Sequence, residues 1–165
     1  RVAVFDFRSL YPSLIRTFQL DPLAHARADG DAIVAPNGAR FAREGAILPQ
    51  VIERFMERRA EARRRGDRHA DQAIKIMMNA LFGVLAAPTC RFADPEIANA
   101  ITGFGQQTLA WTREAFECEG FEVLYGDTDS VFVKLRAAES QSARAEAERL
   151  RESVASTIAA RLREQ

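Results

Sequence analysis

The sequence predicts an α+β fold: an antiparallel sheet backed by helices, with a helical hairpin projecting beside it. Three observations predict this. Two apolar runs of strand type, Phe121-Glu122-Val123-Leu124-Tyr125 and Val131-Phe132-Val133-Lys134-Leu135, flank a turn rich in Gly and Asp. A third such run, Val2-Ala3-Val4-Phe5, lies at the other end of the chain. Most of the sequence between and after these runs has its apolar residues three and four apart, the period of helices.

Taken in order, residues 2–20 read as a strand and a short helix. Asp6 sits where the strand ends, and Phe7-Arg8-Ser9-Leu10-Tyr11-Pro12-Ser13 is too polar and too Pro-interrupted to continue it. Pro12 suits the first turn of a helix through Leu14-Ile15-Arg16. A connection rich in Pro, Gly and Asp follows, with a small hairpin expected around Pro36-Asn37-Gly38. Two helices, about 48–66 and 69–86, form an antiparallel hairpin joined near Gly66-Asp67, and Pro49 opens the first. Arg59 and Arg63 share one face of the first helix. Lys75, Asn79 and Gly83 recur at i, i+4 and i+8 on the second, so they stack along one stripe. A loop through Pro88 and Cys90 leads to a long helix that starts at Asp94-Pro95, an N-cap followed by Pro, and runs to about Glu119. After the strand pair, a final helix begins near Ala138 and points Leu150, Val154, Ile158 and Leu162 at the sheet.

Composition bounds the function classes. The chain has 165 residues, 47% of them hydrophobic, enough for a sizeable core. Lys+Arg 23 balance Asp+Glu 23, so the net charge is zero, which is unusual for a chain that grips duplex nucleic acid. The charge is uneven, however, and Arg54 to Lys75 is Arg-rich. No apolar stretch suits a membrane span or a signal peptide. Cys90 and Cys118 do not form a Cys-x-x-Cys pair and read as reduced thiols. His25 and His69 read as isolated surface residues, and Trp111, near Phe104 and Phe116, as core. Gly103-Phe104-Gly105 is half of a dinucleotide fingerprint inside a predicted helix and carries little weight. The lack of a Gly-Lys-Ser/Thr motif speaks against a P-loop ATPase.

The chemistry concentrates at Tyr125-Gly126-Asp127-Thr128-Asp129-Ser130, where two carboxylates share a tight turn. A lone Asp-x-Asp is more often an ordinary turn. Here Asp6 ends a strand in a matching setting, and pairing of the first strand beside the hairpin places Asp6 and Asp129 within a few ångströms. Hard cations such as Mg²⁺ favour that donor set. Two such ions about 3.5–4 Å apart are the usual means of in-line displacement at phosphorus. Lys75, Asn79 and the bare Gly83 make a surface for a phosphate below and a flat ring above. The Arg-rich run, taken alone, reads as a solvated helix ending at Gly66.

These segments resemble motifs A, B and C of the family B (polymerase-alpha-like) DNA polymerases, in order and with plausible spacing. Motif A, Asp-x-x-Ser-Leu-Tyr-Pro-Ser, matches Asp6 to Ser13, and motif C, Tyr-Gly-Asp-Thr-Asp-Ser, matches Tyr125 to Ser130 throughout. Motif B, Lys-x-x-x-Asn-Ser-x-Tyr-Gly, is matched at Lys75, Asn79 and Gly83. Arg16-Thr17-Phe18 and Cys90-Arg91-Phe92-Ala93-Asp94-Pro95 are most similar to bacterial members of the polymerase II type. The resemblance covers Arg1 to about Leu135.

The resemblance implies an antiparallel palm sheet with a fingers hairpin: palm at 1–47 and 91–165, fingers at 48–90. It implies template-directed transfer of a deoxynucleotide to a primer 3′-hydroxyl by two-metal-ion catalysis. Asp6 and Asp129 would ligate two Mg²⁺ ions, for which Mn²⁺ would substitute, with the Phe7 carbonyl as a backbone ligand. Asp127 would shape the site, supported by Tyr125, Gly126, Thr128 and Ser130. Ser9, Leu10 and Tyr11 would offer backbone N–H groups to the triphosphate, and the Tyr11 ring would exclude a 2′-hydroxyl. Arg59, Arg63, Lys75 and Asn79 would grip the β- and γ-phosphates, with Lys75 counted among the catalytic groups. Phe82 and Gly83 would lie at the nascent base pair.

Ala80 and Phe82 depart from the Ser-x-Tyr of motif B, and Arg63 stands where many relatives have Lys. The implied partners are primer–template DNA, dNTPs, exonuclease and thumb domains of a longer parent chain, and a sliding clamp as a candidate. The implied setting is DNA replication and repair in a bacterial cytoplasm, at the nucleoid. The expectation is therefore an excised palm-and-fingers fragment, whose isolated form could instead be a folded but inactive nucleic-acid- or dNTP-binding piece. Two rival readings are a non-catalytic nucleic-acid-binding module, opposed by the three acids, and a nucleotidyl cyclase, opposed by Tyr11 and the Lys75–Gly83 stripe.

Overall fold

The computed structural model of the chain describes residues 1–163. The last two positions of the 91–165 segment thus lie outside the described residues. Five strands and six helices occur among them, in the order β1 (Val2–Asp6), α1 (Leu10–Thr17), α2 (Pro22–Ala26), β2 (Ile33–Val34), β3 (Arg40–Phe41), α3 (Leu48–Arg64), α4 (Arg68–Ala86), α5 (Pro95–Cys118), β4 (Glu122–Asp127), β5 (Ser130–Lys134) and α6 (Ser140–Arg163). The residues divide into two bodies, one formed by 1–8 with the chain from 105 onward, the other by 9–104.

The first body holds a three-stranded antiparallel sheet of order β1-β5-β4. Its inner face is apolar by strand alternation, with Val131 and Val133 buried and Ala3, Phe5 and Val123 packed beside them. Against it lie Ala115 and Phe116 of α5 and Ala143, Leu150, Val154 and Ile158 of α6, with Leu162 packed at the margin. The four-residue spacing expected for α6 therefore faces the sheet. Phe5 and Phe116 meet with ring centroids 4.6 Å apart. Each large side chain buried here contributes about 1.5–3 kcal/mol relative to exposure. Trp111 packs on this core as expected. Phe121, expected to begin the strand, precedes β4; it is buried, and the Arg136 guanidinium lies 4.3 Å over its ring.

The second body is mainly helical. α3 and α4 form the expected hairpin, turning at Gly66 (φ 71°), after which the Asp67 carboxylate caps α4 by accepting from the Ala70 N–H. The short α1 packs on both of them. The two-stranded hairpin β2-β3 closes through Pro36-Asn37-Gly38, with Gly38 at φ 87°. Asp94 caps α5 as expected, accepting from the Glu96 N–H at 2.9 Å.

Two features of this body were not expected. The connection after α1 contains the helix α2, capped by Asp21, whose Oδ1 accepts from the N–H of Leu23 and Ala24. The other oxygen of the same buried carboxylate accepts from the Leu48 N–H at 2.9 Å, tying α2 to the start of α3. His25 is also no isolated surface residue: its Nδ1 lies 2.9 Å from the Arg40 carbonyl oxygen and its Nε2 3.2 Å from Glu96, with the ring against Phe41. His69 is exposed as expected.

Candidate active site

The first body brings the ends of its sheet to one place. β1 and β5 pair so that Asp6 stands opposite Ser130, and β5 and β4 pair so that Ser130 stands opposite Asp127. Residues directly opposite across strands project from the same face. Asp6, Ser130 and Asp127 therefore lie abreast on the outer face, with both carboxylates exposed. The Phe7 N–H donates to the Asp129 carbonyl at 2.7 Å, which fixes the chain after motif A to the turn of motif C. Backbone pairing thus brings Asp6 and Phe7 beside the turn that carries Asp129.

The turn is tighter than the sequence suggested. Gly126 and the Asp residues were expected to supply it; Gly126 instead pairs with Val131 inside β4, and the turn consists of Thr128 and Asp129. The Asp129 N–H donates to the Asp127 carbonyl at 2.5 Å across Thr128, whose φ is 40°. A β-branched residue in that region costs about 1–3 kcal/mol and persists only where its surroundings impose it. The Thr128 hydroxyl donates to an Asp127 carboxylate oxygen at 3.0 Å, and the Ser130 hydroxyl to the Asp127 carbonyl at 3.3 Å.

A bulge decides where Asp127 points. The pairing runs Glu122 to Lys134 and Val123 to Val133, then skips Leu124 to resume at Tyr125 and Phe132. The skipped residue shifts the alternation by one, so Tyr125 and Asp127 join Glu122 on the outer face while Gly126 turns inward. Deleting Leu124 should leave regular alternation, with Tyr125 and Asp127 still opposite Phe132 and Ser130 on the outer face. Leu124→Ala, at a half-exposed position, should change stability by no more than ~0.5 kcal/mol. A larger drop in the thermal midpoint would show that the Leu124 side chain itself holds the bulge.

The donor set suits a hard cation. Carboxylate oxygens at Asp6 and Asp129 and the Phe7 carbonyl match what Mg²⁺ takes, since it is commonly held by one or two carboxylates together with substrate phosphates and water. No group of three or more His, Cys, Asp or Glu side chains among the described residues gathers closely enough to hold an ion unaided. Asp127 on β4 is separated from Asp6 on β1 by Ser130 of β5.

In the second body the remaining expected residues fall into three groups. Ser9 (φ 57°, ψ 55°) precedes α1 and caps it without a side-chain hydrogen bond. Leu10 and Tyr11 lie in the first helical turn, whose N–H groups point toward the helix end, an arrangement that attracts anions. The Tyr11 ring packs on Phe82, centroids 4.8 Å apart at 41°. Lys75, Asn79 and Gly83 form an exposed stripe on α4, with open space above Gly83.

Arg59 and Arg63 are held together by a residue that no motif marks. Asp71 Oδ1 accepts from Arg59 Nε at 2.6 Å and from Arg63 Nε at 3.0 Å, and Arg59 Nη1 donates to the Ser9 hydroxyl at 3.2 Å. The hydrogen bond from Arg59, aided by the charges of both arginines, holds the Asp71 carboxyl below its usual range. A lowered carboxyl stabilises the fold above its ordinary titration range, and that contribution disappears as pH falls through the lowered value.

The sequence model of DNA polymerase family B matches residues 1–163. DNA polymerase II of Escherichia coli (strain K12) is 44% identical over 145 residues, 85% of this chain and 18% of that protein. DNA polymerase 1 of Pyrococcus abyssi (strain GE5 / Orsay) is 30% identical over 154 residues, 85% of this chain and 20% of that protein. The solved family B DNA polymerase of the hyperthermophilic archaeon Pyrobaculum calidifontis superposes with a TM-score of 0.71 at 31% identity, covering 90% of this chain and 21% of that one. The chain thus spans about a fifth of the length of these relatives.

Proposed function

The chain belongs to DNA polymerase family B, and from that premise we propose that it is the catalytic palm and fingers of a template-directed DNA polymerase. The palm comprises 1–47 and 91–165 and the fingers 48–90. The observation that carries this reading is the pairing of Asp6 with Ser130 and of Phe7 with Asp129. Two motifs more than a hundred residues apart in sequence meet at one edge of one sheet. A binding module gives no reason to gather carboxylates where anionic phosphates must approach.

Asp6, Asp129 and the Phe7 carbonyl would hold Mg²⁺, or Mn²⁺ in its place. The ions would activate the primer hydroxyl and neutralise charge on the leaving pyrophosphate. Asp127 shapes the turn through Thr128 and Ser130. The N–H groups at the start of α1 and the cations Arg59, Arg63 and Lys75, with Asn79, bind the triphosphate; such chemistry is mostly positioning and charge neutralisation. Phe82 and Gly83 face the nascent pair. The partners are primer–template DNA and dNTPs. Exonuclease and thumb domains would belong to the whole protein, with a sliding clamp as a candidate partner, working in replication or repair at the bacterial nucleoid. No described helix is long and apolar enough to cross a membrane.

Single-nucleotide primer extension with Mg²⁺ tests the reading. The expected result is addition of the deoxynucleotide that matches the template and of no other. Product formed from nucleoside triphosphate without a primer would favour a cyclase instead.

Phe82 supplies a finer test. It keeps a flat surface against Tyr11 but lacks the hydroxyl with which a tyrosine would contact the minor groove. One hydrogen bond contributes about 0.5–1.5 kcal/mol net, so Phe82→Tyr should lower misincorporation about two- to tenfold. Unchanged error rates would show that this position does not monitor pairing.

A further inference from the structure

Asp71 occupies the head of the stripe that continues through Lys75, Asn79 and Gly83, each one helical turn along α4. A carboxylate in that row opposes the binding of an anion. It also stands where such an anion is expected, because its single oxygen Oδ1 receives Nε–H bonds from both Arg59 and Arg63. Guanidinium N–H groups take carboxylate and phosphate oxygens alike, so a phosphate oxygen can occupy the place of Asp71 Oδ1.

We propose that Asp71 is a built-in competitor for the polyphosphate of the incoming nucleotide, which binds by displacing the Asp71 carboxylate from the Nε edges of Arg59 and Arg63. The proposal rests on reading these two arginines as triphosphate ligands. Exposure fits an exchangeable contact. The side chains of Asp71 and Arg63 are 27% and 40% exposed, whereas Arg59 is 10% exposed and is anchored by the Ser9 hydroxyl. Pairs open to solvent are weak and exchange readily. Arg59 stays in place through the exchange, and its Nε–H passes from one anionic oxygen to another. Arg63 and Asp71 move.

A plain ion-pair clamp between α3 and α4 predicts the opposite sign. If Asp71 only holds the arginines in position, removing its charge loosens them and weakens anion binding. If it competes, removing its charge strengthens anion binding, because the ligand no longer displaces a carboxylate or sits beside one.

The test is calorimetric titration of the chain with inorganic tripolyphosphate, comparing Asp71→Asn, Arg63→Gln and the double variant with the unmodified protein. Competition predicts about tenfold tighter binding to Asp71→Asn, with the gain lost in the double variant. In the unmodified chain, the Nε–H resonances of Arg59 and Arg63 should shift as tripolyphosphate saturates it, a readout that needs no variant to fold. Binding that depends on Arg63 but is equal or weaker in Asp71→Asn overturns the competitor role and leaves the triphosphate reading intact. Saturation without movement of either Nε–H resonance, or affinity indifferent to Arg63→Gln, overturns both.

Discussion

Asp6→Ala and Asp129→Ala should each lower single-nucleotide primer extension by a factor of ~10³ or more, about 4 kcal/mol of lost transition-state stabilisation. The expected effect on folding is small for Asp6, which is exposed at the end of β1 and held by backbone pairing with Ser130. Its replacement should change stability by no more than ~0.5 kcal/mol, so lost extension is separable from unfolding. Asp127→Ala offers an internal comparison. Its carboxylate lies on the same outer face, but it accepts from the Thr128 hydroxyl of its own turn, and removal should cost only about tenfold through loosening of that turn. Rates for Asp127→Ala as low as for Asp129→Ala would reassign Asp127 as a metal ligand. Full activity in Asp6→Ala would remove the sheet edge from the mechanism.

The parts of this site that depend on strand ends were legible in the sequence. An acid closing a β-branched run and an Asp-rich turn between two others fix their own surroundings locally, and antiparallel pairing brings them together. The bulge at Leu124 was not legible, because an apolar residue in an apolar run gives no sign that it will be skipped. Asp127 reaches the outer face only through that skip. The ion pairs of Asp71 were hidden for a different reason. Arg59 and Asp71 lie on opposite arms of a helical hairpin, and the facing of two helices depends on the geometry of the Gly66-Asp67 turn rather than on spacing within either. α2 is a plainer omission. Asp21-Pro22 repeats the signal read correctly at Asp94-Pro95, but a five-residue helix is too short to add an amphipathic period to its cap. His25 illustrates the limit of reading residue types singly, since its partners Arg40 and Glu96 are remote in sequence.

Ribonucleotide incorporation should rise about a hundredfold or more relative to deoxynucleotide when Tyr11 is replaced by Ala. A ribonucleotide differs from its deoxy counterpart by one hydroxyl, and attraction alone discriminates weakly against such an addition. Strong rejection requires a clash with something that cannot move. Tyr11 meets that requirement in two ways. Its backbone is set at the start of α1 by the left-handed turn at Ser9, and its ring is braced by Phe82 at 4.8 Å. Tyr11→Phe keeps both the ring and the brace, and its selectivity should remain close to that of the unmodified chain. Phe82→Ala removes the brace and leaves the ring, so selectivity should fall to an intermediate value. That ordering separates a rigid steric gate from a hydrogen-bonding one, which would lose selectivity in Tyr11→Phe and keep it in Phe82→Ala. Kinetics with matched ribo- and deoxynucleotides decide between them. Unchanged selectivity in Tyr11→Ala would place the gate elsewhere, and the contact with Phe82 would then be only packing between α1 and α4.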